Sequence, residues 1–385
     1  MDSSAAINAR WSPSKAEGRW CGFGPYYAMF PVEFARRTID SLCPPGGRIL
    51  DPFCGRGTTP FVGQVTGRQS LGADVNPVAW LYAAVKLEPC ADPKAIQDRV
   101  EDVIDGIQSA DREAENDFQR LAWHPGVLAF LRSAKRLLDW KTTTIDRTLM
   151  GMILVHLHAK RGEGLSNQLR QSKAMSPLYA VRWWTQREMQ APEIDLRAFF
   201  LRKLNWRYRK GIPTKRALAE ARLGDSRTAF ADVNDFGADL ILTSPPYSGV
   251  TNYEYDNWIR LWMLGGPPLP SYAFAPRYSH QMNYAAMLRG VFTEAKRLAS
   301  DTVTTYVRTD ARDFTMKTTV EILREMWPEH AFLCRYDKAP GATQTALFGN
   351  SWNKAGDLDL LLLPPGATAP EGFHLLRGGS SLTSS

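Results

Sequence analysis

Three short apolar runs in this chain each end on a residue able to do chemistry, and each is followed by a tight turn or a helix. Arg48-Ile49-Leu50 leads into Asp51, Ser70-Leu71-Gly72-Ala73 leads into Asp74, and Ala238 to Thr243 is stopped by two prolines. Runs of this length bounded by turn formers predict buried strands. Asp301 to Arg308 and Asp357 to Leu363 predict two more. Helical periodicity fills the gaps over Tyr27 to Leu42, Thr59 to Val65, Pro77 to Leu87, Tyr284 to Leu298 and Met316 to Met326. Strands alternating with helices predict an α/β fold with a mostly parallel sheet covered on both faces.

One stretch breaks the alternation. From about Ala91 to Ala221 the periodicity is mainly helical, which predicts a helical insertion, bounded at 91–222, between two halves of one α/β domain, 20–90 and 223–366. The ends, 1–19 and 367–385, are rich in Ser, Gly and small residues and read as flexible tails. Charge is concentrated in the insertion. Between Gly151 and Arg222 there are fifteen Lys and Arg, ten of them arginine, against five acidic residues. That segment carries +10 of a total of +7, so the rest of the chain is at −3. Trp183, Trp184, Trp206, Tyr179 and Tyr208 lie among the arginines. Guanidinium groups pair with phosphate and stack on bases, so the segment predicts nucleic-acid contact, centred on Arg202, Lys203, Arg207, Arg209 and Lys210.

Other classes are excluded by what the chain lacks. No run approaches the ~20 apolar residues of a membrane span, and the N-terminus has no signal-peptide core, which predicts a cytoplasmic protein without a membrane partner. The five cysteines form no CxxC pair, and His156 and His158 are two apart, a spacing unsuited to a helical metal pair. No metal is expected, and Cys54 is expected to be structural.

In Ile49-Leu50-Asp51-Pro52-Phe53-Cys54-Gly55-Arg56-Gly57-Thr58-Thr59-Pro60 two glycines sit directly after a strand and before a helix. They permit tight turns and close approach of a ligand to the backbone. Thr59 is the expected N-cap, with Pro60 at the first helical position. The loop lacks the GxxxxGK[ST] spacing of a phosphate loop and the third glycine of a dinucleotide loop. Asp74, 23 residues beyond Asp51 at the end of the next strand, can accept from a ribose diol.

Downstream, Leu242-Thr243-Ser244-Pro245-Pro246-Tyr247 leaves a strand in one stiff, extended conformation, because neither proline can donate and each pushes its predecessor out of the α region. Together the two runs resemble the amino-group DNA methyltransferases, which methylate N4 of cytosine or N6 of adenine. Asp51, Phe53, Gly55 and Gly57 match the strand-end acid and the Phe-x-Gly-x-Gly turn of that family, and Ser-Pro-Pro-Tyr matches its catalytic motif. The likeness continues through Phe23 to Phe34, at Tyr253, Trp258, Leu261, Trp262 and Gly265, and at Thr343-Gln344-Thr345 with Leu347-Phe348-Gly349.

The resemblance implies a class I, Rossmann-like fold with S-adenosyl-L-methionine (AdoMet) as cofactor. It implies cofactor contacts from Tyr26, Phe30, Asp51, Pro52, Phe53, Cys54, Gly55, Gly57, Thr58, Thr59, Asp74, Val75 and Asn76. Asp225 would bind the adenine amine, with Ser226 beside it. Ser244 Oγ and the Pro245 carbonyl would hold the two protons of an exocyclic amine, Pro246 would stiffen the loop, and Tyr247 would stack on an extruded base. The amine would then attack the methyl group directly. DNA is the implied partner, with a cognate restriction endonuclease as a further one. Ser in place of Asp at 244 points to cytosine N4. Adenine N6, an RNA amine and a catalytically silent nucleic-acid-binding module are the other readings.

Overall fold

The computed structural model describes residues 11–26, 30–171, 173–248, 252–270, 281–337 and 357–376. The first half of the sheet domain contains α1 (Ala16–Cys21), α2 (Val32–Leu42), β1 (Arg48–Asp51), α3 (Thr58–Thr66), β2 (Gln69–Asp74) and α4 (Pro77–Leu87). Six helices follow: α5 (Pro93–Asp105), α6 (Asp117–Ala122), α7 (Pro125–Leu137), α8 (Thr144–His156), α9 (Pro177–Thr185) and α10 (Leu196–Tyr208). The chain then returns to the sheet with β3 (Ala219–Leu223), β4 (Ala238–Thr243), α11 (Tyr253–Asp256), α12 (Trp258–Met263) and α13 (Gln281–Arg297). It ends with β5 (Ala299–Asp310), α14 (Asp313–Met326), β6 (Ala331–Asp337), β7 (Asp357–Leu363) and β8 (His374–Leu375).

The sheet order is β3-β2-β1-β4-β5-β7-β6-β8. The ladders from β3 across to β5 are parallel, and β7 runs antiparallel between β5 and β6. This is a doubly wound α/β sheet, with its order reversing between β1 and β4. Alternation along the strands builds two cores. Ile49, Leu240 and Leu242 face the layer of α2, α3 and α4, whereas Leu50, Ile241 and Val307 face α13 and α14. Trp123, Phe130, Trp184 and Phe200 of the insertion join the first core, so the inserted helices extend the helical layer on that side of the sheet. Among the described residues no helix is long and apolar enough to cross a membrane.

Several expectations are corrected. β3 lies at the end of the stretch expected to be helical, because Ala219 to Leu223 pair with Ser70 to Asp74. Its residues are only half-buried, so it shows no apolar run. β6 and β8 also went unforeseen. α2 starts at Val32, not Tyr27: its N-cap Pro31 is in extended backbone at φ −57° and ψ 136°, and a proline disfavours the α region for the residue before it. Residues 27–29 lie outside the described part. The helix after the glycine turn is capped by Gly57, in the left-handed region at φ 75°, and Thr59 is already inside it. The N-terminal tail is shorter than expected: Trp11 is buried against Phe61, and α1 covers 16–21. At the other end His374 pairs with Cys334 and Phe373 packs on Tyr306. Residues 1–10, 377–385 and the Thr343 to Gly349 stretch lie outside the described residues.

Candidate active site

Open α/β sheets bind ligands outside the carboxyl ends of the strands where the order reverses. Here β1 ends at Asp51 and its neighbour β4 at Thr243, and the two are joined directly: Thr243 Oγ1 donates to Asp51 Oδ1 at 2.7 Å. The Phe53 N–H donates to the same oxygen at 3.2 Å, closing the turn that starts the glycine loop. Asp51 is only 3% exposed. Burial pushes its carboxyl up to about 6, despite the hydrogen bonds from Thr243 and the Phe53 backbone that favour the anion.

The glycine loop has the shape of a cradle. Gly55 has φ 52°, and a Cβ there would meet no protein atom within 4 Å, so the backbone faces open space. Gly57 has φ 75°, and a Cβ would fall 2.6 Å from that of Ala83, so this turn requires glycine to let α4 pack against it. Arg56 points the other way and donates to the Gly24 carbonyl at 2.8 Å, while Lys86 Nζ donates to the Arg56 carbonyl at 2.7 Å. These two buried cations prop the loop from below. Burial drives Lys86 well below its ordinary ammonium value, a role that no motif announced. Cys54 is buried, and burial together with Asp51 and Asp74 raises its thiol well above the ordinary value, so it is a protonated packing residue.

Asp74 is oriented by the backbone: the Gly55 N–H donates to Oδ2 at 3.0 Å and the Asn76 N–H to Oδ1 at 2.8 Å. A carboxylate can accept up to about four hydrogen bonds in all. Beyond it opens a cleft of about 440 Å³ lined by Val75, Pro77, Trp140, Lys141, Leu223, Gly224, Asp225 and Leu264. Asp225 is gripped by its neighbour Arg227, at 3.0 and 2.6 Å. Ser226 is buried and donates its hydroxyl to the Pro52 carbonyl, which ties the post-β3 loop to the glycine loop. Asn76 caps α4 and donates to Tyr26 Oη at 3.0 Å, and Tyr26 stacks on Tyr253 with centroids 6.3 Å apart. Phe30 packs on Phe34. Sequence reasoning missed Trp140, Lys141 and Leu264.

The Ser-Pro-Pro-Tyr segment leaves β4 and is fastened at three points: Thr243 to Asp51, Tyr247 Oη to Asp357 Oδ1 at 3.2 Å, and the Ser248 carbonyl to Arg312 at 2.9 Å. Arg312 is in turn held by Asp310 at the end of β5. Burial and the Asp357 carboxylate push the Tyr247 phenol well above its ordinary value, so it stays a neutral donor. Ser244 is half-buried, and its hydroxyl makes no hydrogen bond among the described residues. The loop is thus rigid at both ends, with an oxygen acceptor left over in the middle.

The basic segment divides. Arg202, Arg209 and Lys210 are exposed, and Lys203 is half-buried with Nζ on the Glu163 carbonyl at 3.0 Å. Arg207 contradicts the expectation of a phosphate contact. It is 5% exposed, donates to the Arg19 carbonyl, and lies 4.9 Å from the ring centres of both Phe23 and Trp206. Its position on the inner side of α10 turns it into the core. Of the histidines, His158 Nδ1 bonds the Arg170 carbonyl at 2.5 Å, and burial takes His156 down to about 3. No group of His, Cys, Asp or Glu able to hold a metal is present among the described residues.

The donor set suits an adenosine. A carboxylate stands at the end of β2, the loop beside it presents backbone to open space, and the adjoining open cleft combines apolar side chains with Lys141 and Asp225 and has the volume of a small-molecule site. The N-terminal end of the chain is similar to known proteins. Residues 3–84 match the DNA methylase family model of N6 and N4 methyltransferases. The type II methyltransferase M.XycI of Xanthomonas campestris pv. cyanopsidis is 38% identical over 65 residues, 17% of this chain and 22% of that protein. M.SmaI of Serratia marcescens is 42% identical over 53 residues, 14% and 18% of the two chains. The alignments thus span about a fifth of the length of these relatives. A TehB-like SAM-dependent methyltransferase from Corynebacterium glutamicum superposes over 86% of each chain at 10% identity, with a TM-score of 0.32. Residues 3–84 are thus similar to the N6 and N4 DNA methylases, a likeness that covers about a fifth of the chain.

Proposed function

We propose that this protein transfers the methyl group of AdoMet to an exocyclic amine of a base in DNA, N4 of cytosine. The observation that carries the reading is the bond between Thr243 and Asp51, which holds the Ser-Pro-Pro-Tyr loop beside the glycine loop at the switch point of the sheet. The cofactor supplies an electrophilic methyl group. This chain's part is to orient two partners. Asp74 would take the ribose hydroxyls, Asp225 the adenine amine, and the Gly55 to Gly57 backbone the methionine end. Ser244 Oγ and the Pro245 carbonyl would accept the two amine protons, directing the nitrogen lone pair toward the methyl group, and the Tyr247 ring would support the extruded base. No covalent bond to the protein is needed, in keeping with a protonated, buried Cys54. Arg202, Lys203, Arg209 and Lys210 would meet the phosphate backbone.

The test is mass spectrometry of nucleosides from DNA and from RNA incubated with the protein and methyl-labelled AdoMet. N4-methylcytosine in DNA supports the reading. N6-methyladenine would keep the mechanism and change the base, label in RNA alone would change the substrate, and AdoMet binding without transfer would make the protein a binding module.

A further inference from the structure

We propose that the helical insertion is part of the cofactor site, its Trp140 forming the aromatic wall against which the adenine ring of an adenosine ligand lies. This inference rests on the methyltransferase reading and extends it to residues outside both motifs. The cleft beyond Asp74 has two sides. One is built by the sheet domain, from Val75 and Pro77 after β2 and from Leu223 to Asp225 after β3. The other is Trp140 and Lys141, from the turn between α7 and α8, with Leu264 beyond α12. A planar, weakly polar ring entering this cleft has both aliphatic side chains and an indole within its lining to pack on.

The turn that presents Trp140 is rigidly made. The Asp139 N–H donates to Asp146 Oδ2 at 2.8 Å, and Asp146 is fixed by Arg99 at 2.7 Å. Arg147 donates to the Lys141 carbonyl at 2.6 Å and to the Trp140 carbonyl at 3.2 Å. The Trp140 ring leans on Trp80, centroids 5.9 Å apart, and Trp80 is pinned through its indole N–H to the Ala221 carbonyl of β3 at 2.8 Å. Lys141 Nζ lies 5.3 Å from the Trp140 ring centre, a cation–π distance. Trp80 is buried whereas Trp140 is only half-buried, so Trp80 is the support and Trp140 the presented surface. An indole held on its backbone by an arginine and on its ring by a second tryptophan loses little freedom when a ligand stacks on it.

The experiment is calorimetry with S-adenosylhomocysteine and 5′-methylthioadenosine on wild type, Trp140→Ala and Trp140→Phe. Loss of one stacking partner should weaken both ligands by roughly tenfold in Trp140→Ala, while Trp140→Phe should remain within about threefold. In parallel, the protein labelled with 5-fluorotryptophan is followed by ¹⁹F NMR. Of its twelve tryptophan signals, the one missing in Trp140→Phe should shift on addition of 5′-methylthioadenosine. Equal affinity of wild type and Trp140→Ala, or a Trp140 signal unmoved while wild type binds, overturns the inference and leaves the methyltransferase reading standing. Should Trp140→Ala fail to fold, the NMR signal decides alone. Wild type binding neither ligand would defeat the methyltransferase reading itself, and this inference with it.

Discussion

The hydroxyl of Thr243 donates to the carboxylate of Asp51 at 2.7 Å, across 192 residues of sequence. One buried carboxylate therefore holds both the turn that opens the glycine loop and the last residue of the strand that carries Ser244. The two halves of the candidate site share this anchor, so displacement of either loop is felt by the other.

The anchor has a cost that can be measured. Because the Asp51 carboxyl rises from 3.8 to about 6 on folding, ionisation opposes folding: its contribution is most favourable below pH 4 and is lost as pH rises through 6. A shift of this size corresponds to up to about 3 kcal/mol at neutral pH. Asp51→Asn keeps an oxygen to accept from Thr243 and Phe53 but carries no charge. The variant should melt above wild type at pH 8, with the difference shrinking steadily toward pH 4.5. Thermal melts of the ligand-free proteins across that range check it, and a pH-independent difference would refute the assignment.

Asp74→Ala should weaken AdoMet by one to two orders of magnitude. A charge-assisted hydrogen bond to a ribose hydroxyl is worth roughly 1.5–3 kcal/mol. Asp74 also receives the Gly55 N–H, so the variant tests loop geometry as well as direct contact. Asp74→Asn separates the two, because its side-chain oxygen can still accept from one backbone N–H. Calorimetry showing wild-type affinity for both variants would reduce Asp74 to a strand-end cap.

The surface for nucleic acid is narrower than the charge count suggests. Reversing Arg202, Arg209 and Lys210 to Glu should abolish DNA binding while leaving AdoMet affinity intact, since all three are exposed on or just beyond α10. Wild-type affinity should fall with salt at a log–log slope near −0.9 per neutralised phosphate. Arg207→Ala behaves differently: it removes a buried cation that packs on Trp20 and Phe23, and should lower the melting temperature. Full DNA affinity in the triple variant, measured by anisotropy, would move the surface elsewhere.

What could be read in the sequence follows from where the signal lies. β1, β2, β4 and β7 were legible because strands buried on both faces read as short, mostly apolar runs closed by a polar residue or a proline. β3 was not, since the edge strand Ala219 to Leu223 is half-exposed and charged. The glycine loop and Ser-Pro-Pro-Tyr were legible because backbone demands select residue types locally. Arg207 was misread because composition counts charges without telling which side of a helix they occupy. Trp140 and Lys141 carry no local signature at all; only the packing of the inserted helices, α8 against α4 among them, brings them to the cleft.

The last prediction concerns the reacting amine. Ser244→Ala should fold and bind AdoMet as wild type does, because its hydroxyl supports no neighbour among the described residues, yet transfer should slow by at least ~100-fold. Tyr247 is a different case. Its hydroxyl is held by Asp357, which approaches Arg308 at 3.9 Å, and Arg308 is locked by two bonds to buried Asp359 at 2.6 and 2.8 Å. Tyr247→Phe keeps the ring but cuts this tether, so it should slow transfer less than Tyr247→Ala, and Asp357→Ala should behave like Tyr247→Phe. The base-capture role predicts that a substrate with the target base in a mismatch, already half-unstacked, restores part of the rate to Tyr247→Ala and none to Ser244→Ala. Single-turnover rates on matched and mismatched duplexes distinguish the two. Equal rescue of both variants would mean that Ser244 and Tyr247 act at the same step. A 5-methylcytosine product, or DNA trapped on the protein, would rule out direct attack by an exocyclic amine.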